Sequence, residues 1–451
     1  MSSPSPLLSA LLDLGYLAAA VAASPWILWR VATDARARTG LRERLGFPHR
    51  RAPIRPALWM HAVSVGEVQT GLPLLEAFQA AHPDWDRVLS TTTVTGQTVA
   101  RSRRPDDRVV YFPLDWSGSV ARAHDRLRPS AIVTVELELW PNFFLEAERR
   151  GIPLLIVNGR ITERSVRRFR RLGPLVRRAL RGVAAVCAQG SDHAERFRSL
   201  GVPPDRVQVT GNMKFDGAPR PSADPYAEPF VRRLGLRPGG TLWVGGSTHA
   251  PEEEILARVH AAVKTSRPGL RLVLVPRHPE RADEVVKGVA AQGHRCYKSS
   301  LLTAASEPPQ DLDDAVVVVD TVGELRKLYG VASLAFVGGS LVPHGGQNML
   351  EPAAVGCPAL FGPSVGNFRD IAEALTAAGA ARIVPDAEAL REAVAGLLAR
   401  RDRLREMGEA GRRVVEEGRG ATRRNLAVLE QAIAMGGTPP TPRSRHPDPF
   451  S

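Results

Sequence analysis

The sequence predicts an α/β protein made of two doubly wound parallel-sheet domains facing a cleft, preceded by an N-terminal membrane-anchor helix. Three observations carry this. Beyond residue 50, short β-branched apolar runs alternate with amphipathic helical stretches, the pattern of parallel strands covered by helices on both faces. The alternation stops at Gly217–Phe230, which holds Pro219, Pro221, Pro225 and Pro229, and restarts beyond it, so two sheets joined by an extended linker are expected. At 451 residues with 43% hydrophobic and 24% charged content, the chain has room for two domains and extensions.

The elements follow in order. From Leu7 to Val31 the chain is largely apolar, interrupted by Asp13 and Pro25, and Arg36, Arg38, Arg42 and Arg44 come after it. A cleaved leader carries its basic residues in front, whereas charge behind fits an uncleaved anchor whose body stays cytoplasmic. Asp13 opposes a full span, because a charge near the bilayer centre costs about 2.5–3.5 kcal/mol. A helix lying in the interface is the alternative, and both readings put the body at an anionic membrane surface. Residues 1–35 are therefore assigned to the anchor.

Strands are expected at Leu58–Val63, Val88–Thr92, Val109–Phe112, Ile132–Val135, Leu154–Val157, Ala184–Ala188 and Val207–Val209, within a first domain of residues 36–218. After a linker at 219–230, further strands are expected at Leu242–Val244, Leu272–Val275, Val316–Val319, Leu334–Val337 and Ala359–Phe361, within a second domain of 231–435. The tail 436–451 holds five prolines and is expected to be disordered.

Composition bounds the chemistry. The formal charge of +13 implies an acidic partner: nucleic acid, an anionic membrane or a phosphorylated substrate. Only five of the 60 basic residues are Lys, so part of the Arg content is compositional. Cys187, Cys296 and Cys357 are odd in number and far apart, which indicates neither a disulfide framework nor a zinc site.

Polar clusters recur where strands end, the place where ligands bind in such sheets. Ser64-Val65-Gly66-Glu67 follows the first strand, with Gly66 read as permitting a tight turn and Glu67 as opening a helix, where a Glu also complements the helix dipole. Glu136 and Glu138 follow the fourth strand and point the same way if extended. Acidic side chains leaving an apolar strand are costly without partners, and ligand binding and structural hydrogen bonding are about equally good accounts of them. Asn158-Gly159-Arg160 and Gly211-Asn212-Met213-Lys214 follow later strands. Lys214 is notable in a chain that otherwise uses Arg. In the second half, Gly245-Gly246-Ser247-Thr248-His249 and Pro276-Arg277-His278 look like phosphate or carboxylate sites; a Pro-bounded loop with a solvated Arg is the alternative for the latter, and local geometry leaves it open. Residues 338–351 set a glycine-rich turn (Gly345, Gly346) and Gln347, Asn348, Met349, Leu350 and Glu351 before a helix. That layout suits an anion cradle, with Glu351 placed for sugar hydroxyls.

These segments together carry a resemblance. WMHAVSVGEV, TTTVTG, YFPLDW, ELELWPN, NGRITERS, GNMKFD, GGSTHAPEEE, LVPRHPER, GELRKLYG, FVGGSLVPHGGQNMLEPAA and GPSVGNF, in this order from Trp59 to Phe368, resemble the 3-deoxy-D-manno-octulosonic acid (Kdo) transferases, the inner-membrane lipid A glycosyltransferases, and the resemblance as a whole runs from about residue 10 to about 430. Each motif is weak alone and the series is specific. The resemblance implies the GT-B fold with two Rossmann-like domains, and an inverting enzyme that takes CMP-Kdo as donor substrate and a lipid A precursor as acceptor. By motif, it implies Glu67 as general base and Glu136 and Lys214 as support for the transition state. It implies CMP binding by Pro276, Arg277, Val322, Gly323, Glu324, Asn348, Met349, Leu350 and Glu351. Further donor or acceptor contacts are expected from Ser64, Gly66, Arg160, Ser247, Thr248, His278, Gly345, Gly346 and Gln347. No cofactor, no metal and no nucleic-acid partner are expected.

The resemblance departs at Gln347, where the family pattern Gly-Gly-His-Asn has His; Gln donates and accepts hydrogen bonds and carries no charge. Two alternatives compete. A related GT-B enzyme using another nucleotide-activated acidic sugar keeps the layout and the cradle, and donor competition discriminates it. A non-catalytic, membrane-anchored basic protein explains the charge and leaves the strand-end carboxylates without a role.

Overall fold

Seven parallel strands form each of two sheets. Residues 6–34, 38–52, 54–236, 238–302, 309 and 311–436 are described by a computed structural model. One compact unit comprises residues 1–217 with 419–451, and the other 218–418.

The first unit opens with helices α1 (Pro6–Ala22), α2 (Ser24–Thr33) and α3 (Leu41–Arg44). Its strands are β1 (Ala57–His61), β2 (Asp86–Thr91), β3 (Arg108–Tyr111), β4 (Ala131–Val135), β5 (Leu154–Gly159), β6 (Ala185–Ala188) and β7 (Val207–Val209). Their spatial order is β3-β2-β1-β4-β5-β6-β7. Helices α4 (Val65–Ala81), α5 (Val94–Arg103), α6 (Ser117–Leu127), α7 (Pro141–Arg149), α8 (Glu163–Arg171), α9 (Gly173–Arg181) and α10 (Ser191–Ser199) fill the crossovers. One sheet face is buried by Trp59, Ile132 and Ile156 against Phe143, Leu180 and Phe197. The other is buried by Leu58, Val133 and Leu155 against Leu74, Phe78 and Leu429. Because successive strand residues point to opposite faces, burial of both explains why β1 and β4 are apolar apart from the buried His61 and Thr134.

The second unit orders its strands β10-β11-β9-β8-β12-β13-β14. These are β8 (Thr241–Thr248), β9 (Leu270–Pro276), β10 (Cys296–Lys298), β11 (Val316–Val318), β12 (Leu334–Val337), β13 (Ala359–Phe361) and β14 (Ala381–Ile383). Its helices are α11 (Pro229–Arg233), α12 (Glu252–Lys264), α13 (Ala282–Ala290), α14 (Leu325–Val331), α15 (Leu350–Val355), α16 (Arg369–Ala377), α17 (Ala387–Leu398) and α18 (Arg401–Gly418). The last helix, α19 (Ala421–Met435), belongs to the first unit.

Every expected strand exists, within a residue or two at its ends except β8, which runs four residues past the expected Val244 to Thr248. The edge strands β10 and β14 are additions: each has three residues and is only partly buried, so neither shows an apolar run. The domain boundaries move. Residues 421–435, expected in the second domain, form α19 and bury Val428 and Leu429 in the first. The Pro-rich segment is not wholly extended, since Pro225–Ala227 is a 3-10 turn, α11 follows it, and Phe230 is buried in the second unit. Arg36 of the basic run and tail residues 437–451 lie outside the described residues.

At the N-terminus, no single helix among the described residues is long and apolar enough to cross a membrane; α1 and α2 form a pair bent by 64°. Asp13 is not bare. It accepts hydrogen bonds from the Ser117 N–H (3.0 Å), the Ser117 hydroxyl and Asn142 Nδ2 (3.0 Å). The Tyr16 hydroxyl donates to Asp115 (2.8 Å). These contacts fasten α1 to α6 and α7 while Leu7, Leu11, Leu14, Leu17, Trp26 and Trp29 stay exposed.

Candidate active site

In the first unit, the ends of β1 and β4 and the loop after β7 bring three expected residues together. Glu67 sits in the first turn of α4, where its Oε2 accepts the Val63 N–H (2.7 Å) and its Oε1 the Ser64 hydroxyl (3.3 Å). Burial raises its carboxyl to about 7; the Val63 hydrogen bond opposes this, while repulsion from Glu136 and Glu138 adds to it. Lys214 Nζ lies 3.6 Å from Glu136 Oε1. Glu138 is also raised by burial and by Glu136, with Arg168 opposing. The cluster therefore holds a carboxyl that gains and loses a proton near neutrality beside an ion pair, which is what a general base requires.

Glu136 has φ +59, a left-handed conformation that costs a non-glycine residue about 1–3 kcal/mol and persists where surrounding structure imposes it. Its N–H still donates to the Val157 carbonyl (2.9 Å). The chain thus turns sharply just as it leaves the sheet. The expectation that Glu136 and Glu138 face alike through strand alternation is corrected: neither lies in a strand, and they are close to Glu67 because of this turn. Gly66 is also corrected. It lies inside α4, and an added Cβ would meet only Ser64 Oγ at 4.0 Å, so no tight turn demands glycine there.

Lys214 is held by groups distant in sequence. Asn158, fully buried and at φ +51, accepts the Met213 N–H on Oδ1 (2.8 Å) and donates its own N–H to Asn425 Oδ1 on α19 (3.3 Å). Asn425 Nδ2 donates to the Thr210 hydroxyl (3.0 Å). Asp216 accepts the N–H groups of Gly420 and Thr422, each at 2.6 Å, which caps α19. Asp216 and Asn158 lay in quoted motifs; Asn425 had no sequence signal, since Asn158 and Thr210, which it links, are more than 200 residues away. Arg160 follows β5 and is half-buried.

In the second unit the ends of three neighbouring strands, β9, β8 and β12, gather the other expected residues. Ser247 and Thr248 belong to β8 itself, where the register with β9 shifts between Gly246 and Thr248 and Ser247 takes φ +53. A Cβ on Gly338 would come within 2.5 Å of the Ser247 carbonyl, so glycine is what lets β8 and β12 approach. His249 stacks on His344 (centroids 4.3 Å, 20° between planes) and meets His278 edge-on at 5.9 Å. Gln347 Nε2 lies 3.2 Å from His249 Nε2, so the amide donates and that ring nitrogen accepts. Burial, followed by His344, His278 and Arg277, lowers His249 to about 4, and it is neutral at pH 7. Arg277 fixes its backbone by donating its N–H to the Thr248 carbonyl (2.9 Å) and leaves its side chain exposed.

The glycine-rich turn differs from the expected cradle. The N–H groups of Gly339 (2.7 Å), Ser340 (3.0 Å) and Leu341 (2.9 Å) all donate to the buried carboxylate of Glu252, which also accepts the His249 N–H (2.9 Å). A protein carboxylate fills the nest that a phosphate would otherwise suit. The site residues lie further on. Gly345 and Gly346 both have positive φ, Asn348 Nδ2 donates to Glu351 Oε1 (3.3 Å), and Arg326 Nε donates to the same oxygen (3.1 Å). Met349 and Leu350 are buried. Val322 is 85% exposed, Gly323 has φ +93 and Glu324 pairs with Lys327 at 3.0 Å. Glu252 lay in the GGSTHAPEEE segment and was not among the expected site residues, because Glu252-Glu253-Glu254 reads as an ordinary acidic helix start; its clasp on residues 339–341 shapes the turn before Gly345. Among the described residues, no group of three or more His, Cys, Asp or Glu is placed to hold a metal ion.

Two doubly wound parallel sheets with polar clusters at their strand ends define the GT-B class of fold. The fold matches a glycosyltransferase from Rickettsia africae (TM-score 0.55, 14% identity, 84% of this chain and 99% of that one). It also matches a UDP-GlcNAc 2-epimerase from Neisseria meningitidis (TM-score 0.54, 11% identity, 83% and 100%). Residues 39–217 match the family described as 3-deoxy-D-manno-octulosonic-acid transferase (kdotransferase). The chain is 33% identical to the 3-deoxy-D-manno-octulosonic acid transferase of Haemophilus influenzae over 88% of its length and 92% of the relative's. It is likewise 33% identical to that of Bordetella pertussis over 84% and 88%. The chain belongs to the Kdo transferase family, and its activity is transfer of Kdo.

Proposed function

We propose that the enzyme transfers Kdo from CMP-Kdo to a lipid A precursor, lipid IVA, in lipopolysaccharide core biosynthesis, with inversion at the anomeric carbon and Glu67 as general base. The observation that carries this reading is the Glu67 carboxyl, raised to about 7 beside Glu136 and Glu138. An acceptor hydroxyl oxygen attacks the anomeric carbon, Glu67 takes the hydroxyl proton, and the bond to the CMP phosphate breaks with its electron pair leaving on CMP. Lys214, paired with Glu136, offers an ammonium to the negative charge that the Kdo carboxylate and the reacting centre bring.

The second unit takes CMP through Pro276, Arg277, Val322 to Glu324 and Asn348 to Glu351, with Ser247, Thr248, His278, Gly345, Gly346 and Gln347 around it. Ser64, Gly66 and Arg160 serve as acceptor contacts. CMP-Kdo is consumed as a substrate, and the scheme calls on no cofactor or metal. The setting is the cytoplasmic face of the inner membrane. Support for it comes from the exposed Leu and Trp residues of α1 and α2.

The test is incubation of the purified protein in detergent with CMP-Kdo and tetraacylated lipid A precursor, with product mass as readout. Mass gain in whole Kdo units, abolished by Glu67→Gln, is the expected result. A folded protein that binds CMP and gives no gain overturns the donor or acceptor assignment, and other CMP-activated acidic sugars are then the substrates to try.

A further inference from the structure

The first unit carries 36 Lys and Arg against 22 Asp and Glu, the second 24 against 25. The excess is concentrated at α8 and α9. The side chains of Arg164, Arg167, Arg168, Arg170 and Arg171 make no hydrogen bond or ion pair within the chain among the described residues, and all five residues are exposed. Elsewhere several exposed arginines pair along their own helices, as Arg149 does with Glu146, Arg391 with Glu388 and Arg403 with Glu406. On α8 the positions three and four apart are further arginines, and such like-charged neighbours destabilise a helix. A plain solvated face would interleave acidic residues.

Three further observations say what covers this face. Leu172, at the turn into α9, is 53% exposed. A hollow of about 340 Å³ between α8 and α10 is lined by Arg167, Arg170 and Arg196 with Glu163 and Glu195. α9 packs on α7, and α7 with α6 carries α1. The basic strip and the exposed leucines and tryptophans of α1 and α2 thus belong to helices layered over one face of one sheet. Arg168 also acts on Glu138, so the strip begins at the acidic cluster.

We propose that α8 and α9 form a second membrane-docking surface, which lays the first unit on the anionic phospholipid headgroups of a bilayer independently of α1 and α2. Guanidinium groups pair with lipid phosphates in bidentate fashion, and Leu172 enters the headgroup region. The inference rests on the transferase reading only in the purpose it gives the contact, which is to hold the acidic cluster beside an acceptor that resides in the bilayer.

The experiment uses the full chain and sedimentation with phosphatidylcholine vesicles, with and without phosphatidylglycerol. Each basic residue at an anionic surface contributes roughly a fivefold factor in partitioning. R164Q/R167Q/R170Q/R171Q is therefore expected to bind phosphatidylglycerol vesicles on the order of several hundred-fold more weakly, and wild-type binding to fall steeply with salt. The corresponding quadruple Lys variant is expected to keep wild-type binding, which separates charge from folding. Transfer to acceptor in neutral detergent micelles stays unchanged. Equal vesicle binding by the Gln variant overturns the proposal. A raised acceptor KM in micelles with vesicle binding intact also overturns it and assigns the strip to the acceptor's own phosphates. Preferential wild-type binding to RNA over vesicles overturns it in favour of a nucleic-acid surface. Absence of transfer by wild type with the vesicle result intact counts against the transferase reading alone.

Discussion

The two units share a topology and divide the chemistry in opposite senses. The first is strongly basic overall, yet its candidate site is a knot of carboxylates, Glu67, Glu136 and Glu138, with Lys214 as its ammonium. The second is nearly neutral, yet its strand ends present Arg277, His278, His249 and His344. The net charge of +13 therefore does not mark where an anionic nucleotide sugar would bind. A site's field comes from the few groups aimed into it, and the bulk charge of a domain governs which extended surface it meets.

Experiments that break this contrast can be ordered by size. Glu67→Gln in the first unit is expected to lower transfer by about 10²–10⁴-fold and leave CMP affinity intact; near-normal turnover would remove Glu67 from the mechanism. Glu252→Gln, in the second unit, puts an amide N–H₂ among four backbone donors. A cost of about 2–4 kcal/mol is expected, read as a lowered denaturation midpoint, and an unchanged midpoint would show that the clasp carries no energy.

Glu67 also makes a stability prediction. Its carboxyl is raised on folding, so the folded state favours the protonated form and stability is full below the unfolded value. It is lost as pH rises through about 7. At pH 8 Glu67→Gln should therefore be more stable than wild type by about 1–3 kcal/mol, the reverse of its effect on activity, and equal unfolding curves at pH 5 and pH 8 would refute the shift.

Arg277→Ala is expected to raise the donor KM about tenfold, about 1.4 kcal/mol, with acceptor KM unchanged; an effect on the acceptor instead would move Arg277 out of the donor site. The smallest effect belongs to pH. Transfer requires ionised Glu67, so kcat/KM should fall as pH drops through about 7, and Glu136→Gln should move that limb to lower pH by less than about one unit. A limb that does not move would mean that the two carboxylates are uncoupled.

Much of both sheets was legible because parallel strands buried on two faces read as continuous apolar runs, as in Ala131–Val135 and Leu334–Val337. Cys296–Lys298 and Ala381–Ile383 were not, because an edge strand needs backbone pairing on one side only and its side chains stay partly exposed. Glu67, Glu136 and Lys214 were legible as strand-end polar residues. The left-handed turn at Glu136 was not, since no glycine announces it.

The amino-acid pattern by itself determined the class of fold, the strand order along the chain, the residue types at each strand end and, through its motifs, the family. Those are properties of local periodicity and short segments. Tertiary structure alone decided that α19 returns to the first sheet, that Asn425 meets Asn158, and that Glu252 takes three backbone donors from residues 339–341. Each joins groups far apart in sequence, and the cost of leaving a buried polar group unpaired selects the partner only once the chain has closed around it.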